Sequence, residues 1–285
     1  MAGGHMTAGN VILGHGNRID DAVLTAGAAM AALPVNNLQT RHMAVHWRTG
    51  TNDPALTWVN AAFTDVQGLR LIGLIKCSMT LYARFRVILK RGGAETYNSG
   101  WLDVAPASIP FDDRLWEEVS FWDGRLVPAG DLNIIHALPA LSLADEVRIE
   151  IDDSASLSSD GFRAARLFAG PGLQTLYNMS WGASLAAAAN AYIEQARSGN
   201  QQIEEYQGAR TYSCALEFMS DAEARVLQNI LATEKAAGEI LWQPCEADPA
   251  RALFDGFLGR MSELPAVTRV HYGANSASIK IEEIL

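Results

Sequence analysis

The chain has 285 residues, 49% hydrophobic and 19% charged, with a formal net charge of -10. This length suits two domains, and this apolar content supports packed cores and excludes a disordered chain. The acidic balance excludes a broad nucleic-acid footprint, which needs clustered Lys and Arg, and docking on anionic lipid.

The three cysteines, Cys77, Cys214 and Cys245, are dispersed, with no CxxC and no Cys/His pair at metal spacing. They read as small buried hydrophobes in a reducing compartment. No stretch approaches the roughly 20 apolar residues of a membrane helix, so no membrane insertion is expected. The N-terminus lacks a signal-peptide layout, so synthesis in a cytoplasm is expected. The opening MAGGHM leaves both Met1 and Met6 open as the native start.

Residues 10–39 form an irregular opening segment, broken by Gly14, Gly16, Pro34 and Asn36-Asn37. Its GHG lacks the third glycine of a dinucleotide fingerprint and reads as a turn before a strand. Strands follow at TWVNAAF and at LRLIGLI, the second apolar enough to be buried on both faces. In MTLYARFRVILKRGG, Leu81, Ala83, Phe85, Val87 and Leu89 alternate with mostly polar residues, the pattern of a half-buried strand. Trp101 leads a short strand. Residues 106–132 are a long connection rich in proline and aromatic residues, the kind of loop that carries function or an interface. NIIHALPA then leads to residues 141–172, read as two strands joined by a polar loop and forming a closing hairpin.

The C-terminal part differs. Residues 184–199 are alanine-rich and favour helix by composition. YSCALEFMS reads as a strand, and Ser220 with Glu223 forms a capping box that opens a helix over residues 221–237. Ala222, Val226 and Ile230, flanked by Leu227 and Leu231, mark its apolar stripe, and Gly238 suits the C′ position. Strands at EILWQPC, FLGRMSEL, TRVHYG and SASIKIEEIL complete an α+β unit.

Four segments together resemble bacteriophage minor tail proteins. They are the opening NVILGHGNRIDDAVLTAG…ALPVNNLQTR, the pair LRLIGLIKCSMTLYARFRVILKRG…YNSGWLDV, the run VRIEIDDSASLSSDGFRAARLFAGPG, and RTYSCALEFMSDAEARVLQNI…GEILWQP. Ala165 stands where that family commonly has a glycine. The resemblance implies a mostly β chain. An N-terminal galactose-binding-like (discoidin-type) antiparallel jelly-roll β-sandwich would span residues 1–172. A smaller α+β module, similar to tail-tip or distal-tail modules, would span residues 173–285. It also implies strands in the 180–197 region, against the local helix propensity, and the reading here leans to strand over residues 176–190.

Catalytic signatures are missing. His42 and His46 form H-x-x-x-H, but Met43 stands where a zincin has its glutamate. No G-x-S-x-G nucleophile elbow occurs. The carboxylate doublets at 112–113, 117–118, 152–153 and 204–205 read as solvated faces and turns. The Asp152-Asp153…Asp160-Gly161 loop lacks calcium-loop spacing. No metal, cofactor or enzyme activity is therefore expected. Trp116, Phe121 and Trp122 are the candidate site residues, with three readings open: packing on their own sandwich, burial at a protein interface, or stacking on sugar rings. The implied function is structural: a virion protein of a phage tail tip or baseplate, made in the host cytoplasm. It would be homo-oligomeric, as a ring or trimer, and would contact other tail proteins. The alternative is a carbohydrate-binding module that contacts host surface glycan.

Overall fold

The computed structural model describes residues 9–106, 124–125, 131–154, 161–187, 190–195, 201–206, 208–245 and 249–285, without the side chains of 190–195, 201–206 and 249–251. The chain opens with β1 (Ile12–Gly14), β2 (Val23–Ala26) and β3 (Trp47–Arg48). Next come β4 (Trp58–Cys77), β5 (Arg84–Arg91), β6 (Ala94–Asn98), β7 (Leu102–Asp103) and β8 (Leu132–Asp152). β9 (Arg163–Ala164), β10 (Arg166–Gly170) and β11 (Gly172–Gln174) follow. The rest supplies β12 (Ser184–Ala187), β13 (Asn190–Gln195), β14 (Gln201–Tyr206), β15 (Arg210–Met219), helix α1 (Asp221–Glu234) and β16 (Ile240–Gln243). Helix α2 (Pro249–Asp255), β17 (Phe257–Met261), β18 (Thr268–His271) and β19 (Ala274–Glu283) end the chain.

The protein is mostly β and antiparallel, of the expected sandwich class. One sheet runs β10-β4-β8-β5-β6, with β2 beside β4 and β7 beside β5. Its two long strands decide its shape. β4 has 20 residues and β8 has 21, and their pairing shifts register between Ala62 and Gln67, Leu69 and Leu71, and Leu74 and Cys77. Such bulges bend a strand and raise its twist. Val59 and Ala61 from one half of β4 thus share a core with Ile72 and Leu74 from the other half, and with Ile134, Leu138 and Ile149 of β8. The sheet folds back over its own apolar face. What the sequence shows as separate segments on either side of Asp65 is one bent strand.

The second sheet runs β11-β1-β16-β17-β19-β15-β12, with β18 on β19. It packs against the first through Leu71, Ile75 and Phe168 on one side and Ile12, Leu241 and Leu258 on the other. This explains why LRLIGLI is apolar throughout: both of its faces are covered. The sheets approach so closely at Gly73 that a Cβ there would lie 2.8 Å from Leu241 Cδ2. β1 lies between β11 and β16, so the N-terminal strand sits in the sheet formed by the residues after 172.

On its outer face the second sheet is covered by α1. The capping box forms as read: Ser220 Oγ accepts from the Glu223 N–H at 3.3 Å, and Glu223 Oε2 accepts from the Ser220 N–H at 2.7 Å. The buried stripe is Ala224, Leu227 and Ile230, whereas Val226 is exposed; the spacing-four stripe on Ala222 and Val226 is corrected to one turning with spacing three. Helix α1 also stops at Glu234, three residues short of 237. Lys235, not Gly238, takes the positive φ, at 53°. The Gly238 N–H closes the turn onto the Glu234 carbonyl at 2.8 Å.

One further expectation is corrected, and the conflict over the alanine-rich stretch is resolved. Residues 141–172 do not form a hairpin. β8 and β10 both pair with β4, from opposite sides, so the chain crosses over between them. Gly161, at φ 71°, lies where a Cβ would meet the Thr49 carbonyl oxygen at 2.1 Å, which pins this crossover against the β3 region. The alanine-rich stretch is strand, not helix: β12 pairs with β15, and β13 with β14. The leaning over 176–190 holds from Ser184 onward, and residues 176–183 are irregular. The two pairings follow one another along the chain. Cross-strand hydrogen bonding overrides a helix propensity worth only tenths of a kcal/mol per residue.

A buried ion cluster ties the sheets together. Arg166 on β10 is fully buried, and its Nη2 lies 2.7 Å from Glu239 Oε2, just before β16, and 2.6 Å from Asp20 Oδ1. Burial pushes the Asp20 carboxyl above its ordinary range, although Arg166 opposes this.

Candidate functional site

Trp116, Phe121 and Trp122 lie outside the described residues. His42 is exposed and His46 half-buried, and among the described residues no three His, Cys, Asp or Glu side chains come together as a metal set. No described helix is long and apolar enough to cross a membrane. Cys77 and Cys214 are buried, which pushes both thiols up, Cys214 to about 12, and Cys245 is half-buried. The doublet at 152–153 divides: Asp152 accepts from the Ser154 N–H at 3.2 Å, as a surface turn residue does, and Asp153 is buried. Asp152 pairs with Arg84 at 2.6 Å, and Asp153 accepts from the Thr80 N–H at 3.1 Å.

The structure instead assembles a cleft of about 470 Å³ where the first sheet meets the second. Its floor is the stretch of β8 from Asn133 to Ala137. One wall is Phe85 with Trp101 to Val104, and the other is Gln243, Ala252 and Leu253. β8 exposes this stretch because β4 pairs with it on one side only; β5 joins β8 further along, from Glu146 onward.

Trp101 is part-exposed, and the guanidinium of Arg86 lies 4.9 Å from its ring centroid. Arg86 in turn pairs with Glu150, which also accepts from Arg148 at 2.8 Å. Burial pushes the Glu150 carboxyl up, but the hydrogen bonds from Arg86 and Arg148 outweigh it and hold it below its ordinary value. This ladder fixes the Trp101 ring through a cation–π contact.

His136 projects from β8 to within 2.8 Å of the Tyr97 hydroxyl and stands edge-on to Phe85 at 6.2 Å. Burial lowers its pKa to about 4, so the ring is neutral at pH 7 and pairs with a neutral phenol. Burial also raises the Tyr97 pKa. Asn133 is fully engaged: Oδ1 accepts from the Lys76 N–H at 3.0 Å, and Nδ2 donates to the Gly256 carbonyl at 3.3 Å.

Gln243 is different. It is 3% exposed, its Nε2 donates to the Cys245 carbonyl at 3.3 Å, and its buried Oε1 has no hydrogen-bond partner among the described residues. An orphaned buried acceptor costs about 1–3 kcal/mol. Gln243 is among the residues lining the cleft, and a ligand O–H or N–H that reached this atom would relieve that cost.

Sequence reasoning did not single out His136, Asn133 or Gln243, and it read Trp101 only as the head of a strand. The one local signal was Trp101 directly after the Ser99-Gly100 turn, where a large ring has no neighbour in sequence to cover it. His136 and Gln243 carry no such signal, because 107 residues separate them.

The chain is thus an antiparallel β-sandwich protein with a ligand-sized cleft at the junction of its sheets. No family model matches it, and no curated protein sequence matches it. Among solved structures it is similar to a fucose-binding module of Streptococcus pneumoniae, with 11% identity, 55% of this chain and 95% of that one covered, and a TM-score of 0.36. It is also similar to the family 32 carbohydrate-binding module of C. perfringens NanJ in complex with galactose, with 13% identity, 55% and 98% covered, and a TM-score of 0.38. A chitosan-binding module from a Paenibacillus chitosanase/glucanase, in complex with chitotriose, has 10% identity, 54% and 100% covered, and a TM-score of 0.36. At these values no residue and no ligand carries across to this chain.

Proposed function

We propose that the chain is a non-catalytic binding module whose cleft takes a sugar residue of a glycan. The observation that carries this is the buried, unpartnered Oε1 of Gln243 in a cleft edged by Trp101. A sugar offers both complements: hydroxyl donors for the orphaned acceptor, and an apolar C–H face for the indole. The volume, about 470 Å³, falls within the ~300–1,000 Å³ of small-ligand sites. A neutral His136 held by Tyr97 adds polarity without a charge that would need pairing.

A glycan array followed by calorimetry on wild type, Trp101→Ala and Gln243→Met tests the reading. Glycan signal lost in both variants, with unchanged folding, supports it; an array without signal overturns it. Trp116→Ala and Trp122→Ala in the same assay decide whether the loop aromatics anticipated from the sequence contribute.

A second reading is a structural subunit of a phage tail tip or baseplate, assembling as a homo-oligomer with other tail proteins in the virion. The observation favouring it is the β13–β14 ribbon, whose strands pair only with each other among the described residues. An isolated two-stranded ribbon is marginal in water and gains stability against a neighbour. Fully exposed Trp181 and Tyr272, and the exposed pair Tyr177 and Phe218 with rings 6.3 Å apart, add apolar surface of the kind interfaces cover. Cross-linking mass spectrometry on intact particles tests this, and absence of the chain from purified virions overturns it.

A further inference from the structure

Beside the first cleft lies a second, of about 380 Å³. The two adjoin at Asn133 and Leu253, which line both. The second cleft is bounded by the bulged end of β4, the β12–β15 pair at Ala187 and Arg210, helix α2 at Phe254, and Glu283.

Its charges are distributed unevenly. Arg210 is spent: it holds Glu283 through two hydrogen bonds, at 2.8 and 2.7 Å, and donates to the Phe254 carbonyl at 2.6 Å. Asp131 pairs with Arg163 at 3.0 Å. That leaves Lys76. Among the described residues its ammonium has no carboxylate within ion-pair distance and no hydrogen-bond partner. Arg163 and Arg210 hold the two carboxylates directly, so Asp131 and Glu283 act on the Lys76 ammonium only at longer range, and across Lys76, Arg163, Arg210, Asp131 and Glu283 one positive charge is left over, on Lys76.

The backbone at Lys76 points the same way. Its φ is 52°, the left-handed region that non-glycine residues rarely occupy, and it lies within the register shift between Leu74 and Cys77. Such strain persists only where the surroundings impose it, and it concentrates at binding sites. Asn133 imposes it here by accepting the Lys76 N–H. The side chain that fixes Lys76 is thus also part of the floor of the first cleft. The amine is half-buried, and burial lowers its pKa although Glu283 and Asp131 oppose the shift, so an anionic partner would offset part of its desolvation.

We propose that the second cleft binds the anionic group of an acidic sugar, with Lys76 as its anchor, so that the combined site takes an oligosaccharide carrying a uronate next to a neutral residue. A single unspent charge suits a monoanionic carboxylate, and Phe254 and Leu253 give the sugar ring an apolar wall. The inference rests on the reading of the first cleft as a carbohydrate site.

The test is calorimetry on the full chain with hyaluronan and heparosan tetrasaccharides and with their carboxyl-reduced counterparts, which keep the linkages and lose the charge. Wild type should bind the uronate forms about tenfold more tightly than the reduced forms, and 0.5 M NaCl should erase most of the difference. Lys76→Met should bind both forms with equal affinity. Lys76→Gly should do the same, and it suits the left-handed backbone, so it guards against a folding defect. Equal binding of charged and reduced forms by wild type, with Trp101→Ala weakening both, overturns the Lys76 assignment and leaves the carbohydrate reading standing. A charge preference that survives in Lys76→Met and Lys76→Gly also overturns it. Absence of binding to every tetrasaccharide overturns the inference. Tighter binding of a sulfated chondroitin tetrasaccharide than of the uronate forms, dependent on Lys76, replaces carboxylate with sulfate and overturns the ligand class.

Discussion

The side-chain oxygen of Asn133 accepts the backbone N–H of Lys76 at 3.0 Å, joining β8 to the bulge that ends β4. The same amide donates to the Gly256 carbonyl, which fastens both strands to the turn between α2 and β17. Asn133→Leu keeps the volume and deletes both bonds, stranding a buried N–H and a buried carbonyl. The expected loss is about 2–4 kcal/mol, from ~1–3 kcal/mol per stranded group with partial relaxation, read from the urea midpoint.

Lys76 adopts a conformation that glycine accepts freely and a β-branched residue resists. A left-handed L-residue costs roughly 1–2 kcal/mol, offset in part by glycine's extra freedom in the unfolded chain. Lys76→Gly should therefore keep or slightly raise the thermal midpoint. Lys76→Val should lower stability by about 1–2 kcal/mol. If valine is tolerated as well as glycine, the backbone at this bulge is not held as described.

Gln243 sets stability against binding. Gln243→Met removes the orphaned acceptor and keeps the chain length, but it also gives up the 3.3 Å hydrogen bond to the Cys245 carbonyl, so the unliganded protein should change by no more than ~1 kcal/mol in either direction. Glycan affinity should fall at least about tenfold, the value of one lost hydrogen bond in a desolvated site. Equal ligand-induced shifts in thermal midpoint for wild type and variant would remove Gln243 from the site.

His136 makes stability depend on pH in a defined direction. Its pKa is about 4 in the folded chain, against an ordinary value of 6.5, because burial disfavours the imidazolium. Between these values the unfolded chain binds the extra proton, so stability is full above pH 6.5 and falls as pH drops toward 4. The slope is about 1.4 kcal/mol per unit, about 3 kcal/mol in all as an upper figure. Urea unfolding of wild type and His136→Gln from pH 7 to 4.5 checks this; the variant's curve should be flatter by that difference.

Arg166 carries the charge of the inter-sheet cluster. Arg166→Met leaves the buried Glu239 with only the 3.9 Å contact to Arg41 and the 3.3 Å hydrogen bond from Asn17, and should cost about 3 kcal/mol, the lower end for a broken buried pair. Adding Glu239→Gln should restore part of that loss. A double variant no more stable than the single would show that Glu239 finds other compensation.

Local chemistry was readable from the residues alone. The capping box of α1 depends on groups three residues apart, and Ser220 and Glu223 form it as read. The alternation in β5 and the apolar run in β4 report burial on one face and on two, because side-chain direction in a strand has period two. Local pattern did not decide where a distant partner does. Ala-rich residues 184–187 favour helix by composition and are strand, as the resemblance implied, because β15 lies alongside; the pairing expected between residues 141–152 and 163–170 is blocked because β4 runs between them.

Composition and pattern determined that this chain folds as an antiparallel β protein with one capped helix, because hydrophobic periodicity and capping act over a few residues. The tertiary structure alone decided the site. Trp101, Asn133 and Gln243 meet only after a bent β8 leaves one edge free and the second sheet packs across it. Among the described residues Lys76 lacks a direct ion-pair partner because Arg210 and Arg163 hold the nearby carboxylates. Those are relations between residues tens to hundreds of positions apart, and no spacing in the sequence encodes them.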